Sequence, residues 1–190
     1  MANVLLASSA SVSVYKACDL ASKLSQSGHA VRSVLTENAA RLVSPQLFEA
    51  VTGEPAFVSE WGDARRGAMD HIELARFADV VVVAPCSADL AARLAHGFAD
   101  DLVTTALLAV PVEVPRLVCP AMNPNMLAQP AVRRNFDQLR ADGWAFVDAE
   151  SGHMACGDEG SGRLAEPQTI AEAVEAALRE GAAGGGSPAP

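Results

Sequence analysis

Several signatures are missing from this chain, and each absence removes a class of function. Neither Gly-x-Gly-x-x-Gly nor Gly-x-x-x-x-Gly-Lys-Ser/Thr occurs, so the usual dinucleotide and nucleoside-triphosphate loops are excluded. Gly-x-Ser-x-Gly is absent as well. The four cysteines, Cys18, Cys86, Cys119 and Cys156, form no Cys-x-x-Cys. A zinc knuckle or a disulfide-dense secreted scaffold is therefore a poor reading, and free thiols in a reducing cytoplasm fit better. No His/Cys/Asp/Glu spacing suggests a metal. Lys and Arg number 14 against 23 Asp and Glu, for a net charge of −9. A nucleic-acid surface is not expected of such a chain, because phosphate neutralisation needs clustered cations. The strongest apolar run, Val80 to Ala84, is far short of the ~20 residues that span a bilayer. The opening residues have no basic stretch before an apolar one, so no signal peptide is expected.

What is present is core material. Hydrophobic residues make up 50% of the 190 and charged ones 19%, which suits one folded domain. That domain is expected over residues 1–180. Residues 181–190, all Gly, Ala, Ser and Pro, read as a disordered tail.

The patterning alternates strand and helix. Val4 to Ala7 is a short apolar strand, followed by the serine-rich turn Ser8 to Ser11. Val14, Ala17, Ala21 and Leu24 then form a helical stripe closed at Gly28, and Ala30 to Thr36 is a second strand. Short helices are expected at 37–41, 45–51 and 71–78, and a surface segment over 53–67. Val80 to Ala84 is apolar on both alternating faces, as a central parallel strand covered on two sides should be. Helices at 88–95 and 101–110 precede a strand at 117–120, a proline-bounded loop holding Pro124 and Pro130, a helix at 131–142 and a strand at 144–147. A glycine-rich polar segment at 151–162 precedes an amphipathic helix at 167–180. About five strands result, and the expected fold is a single-domain α/β doubly wound parallel sheet, Rossmann-like or flavodoxin-like, with helices on both faces. Such sheets bind ligands beyond the carboxyl ends of their strands. The loops at Ser8–Ser11, Pro85–Asp89 and Pro120–Met126 all follow strands and gather along that rim.

Four groups of residues could carry chemistry. Ser9 and Ser11 suit a phosphate at a helix N-terminus, or simple helix capping. His71, near a helix start with Asp70 as a possible cap, suits a neutral base or donor, or a structural histidine. Pro120-Ala121-Met122-Asn123-Pro124-Asn125-Met126 places amides beside adaptable apolar side chains. It suits carboxylate binding, or equally a rigid loop with local Asn turns. Cys156 lies among four glycines of the segment Gly152 to Gly162, where a thiol is more accessible than in a core strand. His29 and His96 adjoin glycines at helix ends, where capping accounts for them. His153 could face a ligand or solvent, and the role of Trp61 is not readable.

On these residues the chain resembles the homo-oligomeric flavin-containing cysteine decarboxylases. Those carrying the resemblance are Tyr15-Lys16-Ala17, Gly28-His29-Ala30-Val31, His71-Ile72-Glu73-Leu74-Ala75, Pro120-Ala121-Met122-Asn123 with Met126, and Ala155-Cys156-Gly157 with Gly160, Gly162 and Arg163. The match runs from Val4 to about Ile170, and its last two motifs together are specific. The resemblance implies FMN, held by Ser9, Ser11, Thr36, Ser87 and Ala88. It implies a small phosphorylated cysteine-containing substrate, 4′-phospho-N-pantothenoylcysteine, decarboxylated to 4′-phosphopantetheine. It further implies a homotrimer or a multiple of trimers, a separate ligase supplying the substrate, and a cytoplasmic location. His71, Asn123 and Cys156 are the implied catalytic residues. Asn123, Met126, Ala121 and Met122 are implied to bind substrate, and Cys156 to supply the final proton. Five positions depart from the family pattern in three places: Ala7 and Ala10 replace glycines, Asp89 and Leu90 replace an amide and a hydroxyl, and Leu127 replaces a tryptophan. Two alternatives share the fold. One is a peptide C-terminal cysteine decarboxylase that stops at the enethiol, and the other is a non-catalytic flavin-binding regulatory subunit.

Overall fold

The structure, a computed structural model, describes residues 1–153 and 159–184. Its centre is an all-parallel six-stranded sheet with order β3-β2-β1-β4-β5-β6. The strands are β1 (Asn3–Ser8), β2 (Ala30–Leu35), β3 (Ala56–Phe57), β4 (Val80–Cys86), β5 (Arg116–Pro120) and β6 (Ala145–Phe146). Strand order reverses between β1 and β4, where Val4 pairs with Val80 and Ala7 with Val83. This is the doubly wound order, with its crevice at the carboxyl ends of β1 and β4.

Strand alternation sorts the core into two layers. Val4, Leu6, Val80, Val82 and Ala84 face one side. They meet α1 (Val14–Gln26), α3 (Pro45–Thr52) and α9 (Pro167–Gly184) through Leu20, Leu24, Phe48, Ile170 and Val174. Leu5, Ala7, Val81 and Val83 face the other side. They meet α4 (Asp70–Phe77), α5 (Ala88–Ala95), α6 (Leu102–Ala109) and α8 (Pro130–Ala141) through Leu74, Leu90, Val103 and Phe136. All seven residues of β4 are buried, so its unbroken apolar run follows from burial on both faces.

Several expectations need correction. The sheet has six strands, not five, because β3 lies inside the segment read as surface. It pairs with β2 at Ser33–Ala56 and Val34–Phe57. Both its residues are buried, and Ala56 is clamped from outside the sheet. Its N–H donates to Glu49 Oε1 at 3.1 Å, and its carbonyl accepts from Arg66 Nε at 2.9 Å. The proline-bounded loop contains a helix, α7 (Pro124–Ala128), started by an Asn123 cap and a proline at its first position. The glycine-rich segment supplies an antiparallel pair, β7 (Glu150–His153) and β8 (Glu159–Arg163). The last helix continues to Gly184, past the expected boundary at Glu180, and residues 185–190 lie outside the described residues. The expected closure at Gly28 is present, with φ of 90° just beyond α1.

Candidate active site

In a parallel sheet each crossover helix starts where the preceding strand ends, so helix N-termini collect at the carboxyl rim. Here those of α1, α4, α5 and α7, with that of α2 (Glu37–Ala40), lie along it. Their positive dipole ends supply a local preference for anions that the net charge of −9 does not.

Hydrogen bonds stitch the rim together loop by loop. Thr36 N–H donates to Ser8 O at 3.0 Å, joining the ends of β1 and β2. Ser9 is 3% exposed and bridges β1 to β4. Its hydroxyl donates to Pro85 O at 2.8 Å and accepts from Ser87 N–H at 2.8 Å. Ala121 N–H donates to Cys86 O at 3.0 Å, tying β4 to β5. Met122 N–H donates to Gly162 O at 3.1 Å, tying the β5 loop to β8. A Cβ on Gly160 would lie 2.9 Å from Pro124 Cγ, so the β7–β8 hairpin rests on the first turn of α7 with no room between.

The serines do not behave as simple caps. Ser9 locks two loops rather than capping α1. Ser11 Oγ lies 2.9 Å from Ser13 Oγ and accepts from Ser13 N–H at 3.3 Å. Ser13 is the cap residue of α1, with no side-chain cap bond. Thr36 caps α2 by accepting from Ala39 N–H, and Ser87 caps α5 by accepting from Leu90 N–H. An accepting hydroxyl keeps its own proton to donate. Among the described residues the Thr36 and Ser87 O–H groups have no acceptor, and the Ser11–Ser13 pair uses one of its two hydroxyl protons internally. Ala88 follows as the first residue of α5. Hydroxyl donors on a strip of helix N-termini have the chemistry that suits an anion.

The departures at Ala7, Ala10 and Asp89 are accommodated. Among the described residues no non-glycine residue has a positive φ, so Ala7 and Ala10 hold conformations ordinary for any L-residue. The Asp89 carboxylate pairs with Arg93 at 3.1 Å and is mostly exposed.

Asn123 is half-buried, and its Oδ1 accepts from Asn125 N–H at 2.8 Å. The local Asn turn is therefore real, and it fixes the amide at the mouth of α7. Met126 is 46% exposed on that helix. Ala121 and Met122 are buried, with side chains in opposite core layers. Cys156 lies outside the described residues, on the connection between β7 and β8.

His71 is the second residue of α4. Asp70 does not cap that helix: it is 1% exposed, and its Oδ2 accepts from Arg66 N–H at 3.0 Å. Glu60, which the sequence reading missed, meets His71 instead. Its Oε1 accepts from the His71 backbone N–H at 3.2 Å and contacts the ring Nδ1.

A further group pins the base of the hairpin. Glu166 Oε1 accepts from Lys16 Nζ at 2.7 Å and from Arg163 Nη2 at 3.1 Å. The Lys16 bond holds the Glu166 carboxyl below the usual carboxylate range; burial opposes this, and the charges of Lys16 and Arg163 add to it. Glu166 N–H donates to Glu150 Oε1 at 3.1 Å. The first turn of α1 is thereby linked to both strands of the hairpin. The buried Cys86 thiol donates to Ser87 O at 3.7 Å, at the start of α5. Burial pushes Cys86 up to about 12 and raises Cys119 also, with Cys86 adding to the effect on Cys119.

Comparison with known proteins agrees with this geometry. The family described as Flavoprotein matches residues 1–179. The coenzyme A biosynthesis bifunctional protein CoaBC of Bacillus subtilis is 42% identical over 173 residues, which are 91% of this chain and 42% of that protein. The chain thus spans less than half the length of its bifunctional relatives. A probable phosphopantothenoylcysteine decarboxylase of Streptococcus mutans is 38% identical over 92% of this chain and 98% of its own. Among solved structures, the FMN-dependent cysteine decarboxylase SpaF superposes with a TM-score of 0.80 at 33% identity, covering 96% of this chain and 98% of that one. A PPC decarboxylase mutant complexed with pantothenoylaminoethenethiol gives 0.79 at 30% identity, covering 92% and 97%. With the family match spanning nearly the whole described chain and the rim built as above, the chain belongs to the flavoprotein family.

Proposed function

We propose that this chain is an FMN-dependent decarboxylase of 4′-phospho-N-pantothenoylcysteine, yielding 4′-phosphopantetheine and carbon dioxide for coenzyme A biosynthesis. The observation that carries this reading is the seating of the β7–β8 hairpin on the Asn123 loop, through Met122 N–H to Gly162 O at 3.1 Å and the Gly160–Pro124 contact. It brings the strands that flank Ala155-Cys156-Gly157 against Pro120-Ala121-Met122-Asn123. A decarboxylase that stops at the enethiol has no use for a thiol acid beside its carboxylate-binding loop.

The rim fits the cofactor. The hydroxyls of Ser11, Thr36 and Ser87 are donors for its phosphate and polar edge, Ser9 fixes the spacing of the two loops that carry them, and Ala88 lies at the helix start beside Ser87. When bound, FMN supplies a reversible two-electron sink, which makes an otherwise inert amino-acid-derived carboxylate labile. The chain's own residues do the rest. Asn123 orients the carboxylate by hydrogen bonds from a fixed amide. Met126, half exposed beside it, walls the reacting atoms from water; Ala121 and Met122 shape the loop from beneath. His71 holds and returns a proton beside the cysteinyl group. Cys156 delivers the proton that ends on carbon in place of carbon dioxide, so the overall reaction leaves substrate and protein with no net redox change.

The proposal includes a homotrimer, or a multiple of it. Val12, Tyr15, Trp61 and Met69 are large apolar side chains exposed in the first turn of α1 and in the segments leading into α1 and α4, beside the rim. A cytoplasmic location and a ligase that makes the substrate belong to the same reading. No helix among the described residues is long and apolar enough to cross a membrane. Cys156→Ser tests the assignment: the variant is expected to release carbon dioxide and stall at the enethiol, while the unaltered chain goes on to the thiol. Enethiol as the end product of the unaltered chain removes the role given to Cys156 and favours the peptide-decarboxylase branch.

A further inference from the structure

The segment between β3 and α4 carries a carboxylate that no motif announces. Glu60 lies eleven residues before His71, yet one of its oxygens serves that residue twice. It accepts the His71 backbone N–H at 3.2 Å, a first-turn donor for which the preceding Met69 offers no side-chain cap. The same oxygen contacts Nδ1 of the ring. Both side chains are 23% exposed, sheltered enough for the contact to persist in water. The segment that delivers Glu60 is itself anchored. Arg66 Nε donates to Ala56 O on the edge strand, and Arg66 N–H donates to buried Asp70. A carboxylate at this place is also stabilised by the positive end of α4.

An ionised carboxylate only accepts hydrogen bonds, so a ring nitrogen bonded to it must carry the proton. We infer that Glu60 is a positioning residue for His71: it fixes the imidazole with Nδ1 protonated and leaves Nε2 as the atom that accepts and returns the reaction's proton. A histidine without such a partner turns about its side-chain bonds and exchanges tautomers; each wrong orientation or tautomer withdraws Nε2 from the reaction. Glu60 acts on the proton-transfer step through His71 and touches no reacting atom. This deepens the decarboxylase reading and rests on it for the step affected, while the tautomer itself stands apart from any activity.

The experiment is ring-nitrogen NMR of the full chain labelled with 15N-histidine, with no cofactor or substrate added. His71→Gln identifies the His71 signals among the four histidines. The expected result, read above the pH at which the ring loses its second proton, is a single tautomer with the proton on Nδ1 in the unaltered protein, and mixed tautomers in Glu60→Gln and Glu60→Ala. In FMN-loaded protein, kcat of both variants should fall about 10–100-fold while KM holds, a loss typical of removing the partner that orients a functional histidine. An Nε2-protonated ring in the unaltered protein overturns the inference. So does Glu60→Ala that lowers only the thermal midpoint, with tautomer and kcat unchanged, for that is the behaviour of a helix cap. If Glu60→Ala does not fold, Glu60→Gln, which keeps an oxygen for the backbone N–H, decides alone. Absence of decarboxylation in the unaltered protein refutes the proposed function, and the NMR result then still decides whether Glu60 sets the ring.

Discussion

Replacing Ser9 by alanine should cost this protein more than its small volume suggests. The Ser9 hydroxyl is buried and makes two hydrogen bonds of 2.8 Å across the strand-order reversal, one to Pro85 O and one from Ser87 N–H. Pro85 O keeps a second donor, Ser9 N–H at 3.1 Å, but Ser87 N–H loses its partner. Two bonds at about 0.5–1.5 kcal/mol each, plus part of the penalty for an unsatisfied donor, give about 2–4 kcal/mol. For a chain of this size, that corresponds to a fall of about 5–12 °C in thermal midpoint. Ser8→Ala is the internal control. Ser8 is equally buried but makes one such bond, to Ala84 O at 2.8 Å, so about 1 kcal/mol is expected. Urea unfolding of both variants without cofactor measures the two values, and FMN titration should show weaker binding by Ser9→Ala, because the loops after β1 and β4 lose their spacer. A Ser9→Ala loss no larger than that of Ser8→Ala, with an unchanged urea slope, refutes the reasoning.

Other outcomes follow from the same contacts. Gly160→Ala forces a Cβ to 2.9 Å from Pro124 Cγ and lifts the hairpin off the Asn123 loop. Turnover should fall about tenfold or more with circular dichroism unchanged, and undiminished turnover contradicts the docking argument. Burial raises the Cys86 and Cys119 thiols, so the folded state binds their protons more tightly than the unfolded chain. Their contribution to stability is complete below about pH 8.5 and is lost as pH climbs toward 12. Thermal midpoints should drop on the alkaline side, and Cys86→Ala should drop less; identical alkaline slopes speak against it. Glu166→Gln cuts the link between Lys16 and the hairpin at an exposed site. It should change stability by less than about 1 kcal/mol, yet speed proteolysis between residues 150 and 163; unchanged cleavage means the link does not hold the hairpin.

What could be read from the sequence was whatever leaves a local pattern. The unbroken Val80 to Ala84 run and the Val14-Ala17-Ala21-Leu24 stripe gave β4 and α1, because burial on two faces or one face repeats along a few neighbouring residues. Strand β3 left no such trace. It has two residues, and it is held by Glu49, Arg66 and the edge of β2, none of them adjacent in sequence. Helix α7 was hidden because the features that start it, an Asn cap and a proline at the first position, also spell a rigid loop. The hairpin was hidden because glycine and polar residues carry no alternation to betray strands. At the site, the serine rim and the Asn123 loop were legible as motifs, though not that Ser9 bridges β1 to β4 across 76 residues. Glu60 and the Lys16–Glu166 link, the latter joining residues 150 apart, had no signal at all: each is one charged side chain made meaningful only by the fold.

Purified protein loaded with FMN should be given 4′-phospho-N-pantothenoylcysteine without air, with carbon dioxide counted and the product weighed by mass spectrometry. Carbon dioxide and 4′-phosphopantetheine are expected in equal amounts, with the flavin back in its oxidised form after turnover. A flavin-loaded protein that releases no carbon dioxide, or that decarboxylates a cysteine-terminated peptide in preference, contradicts the proposed reaction.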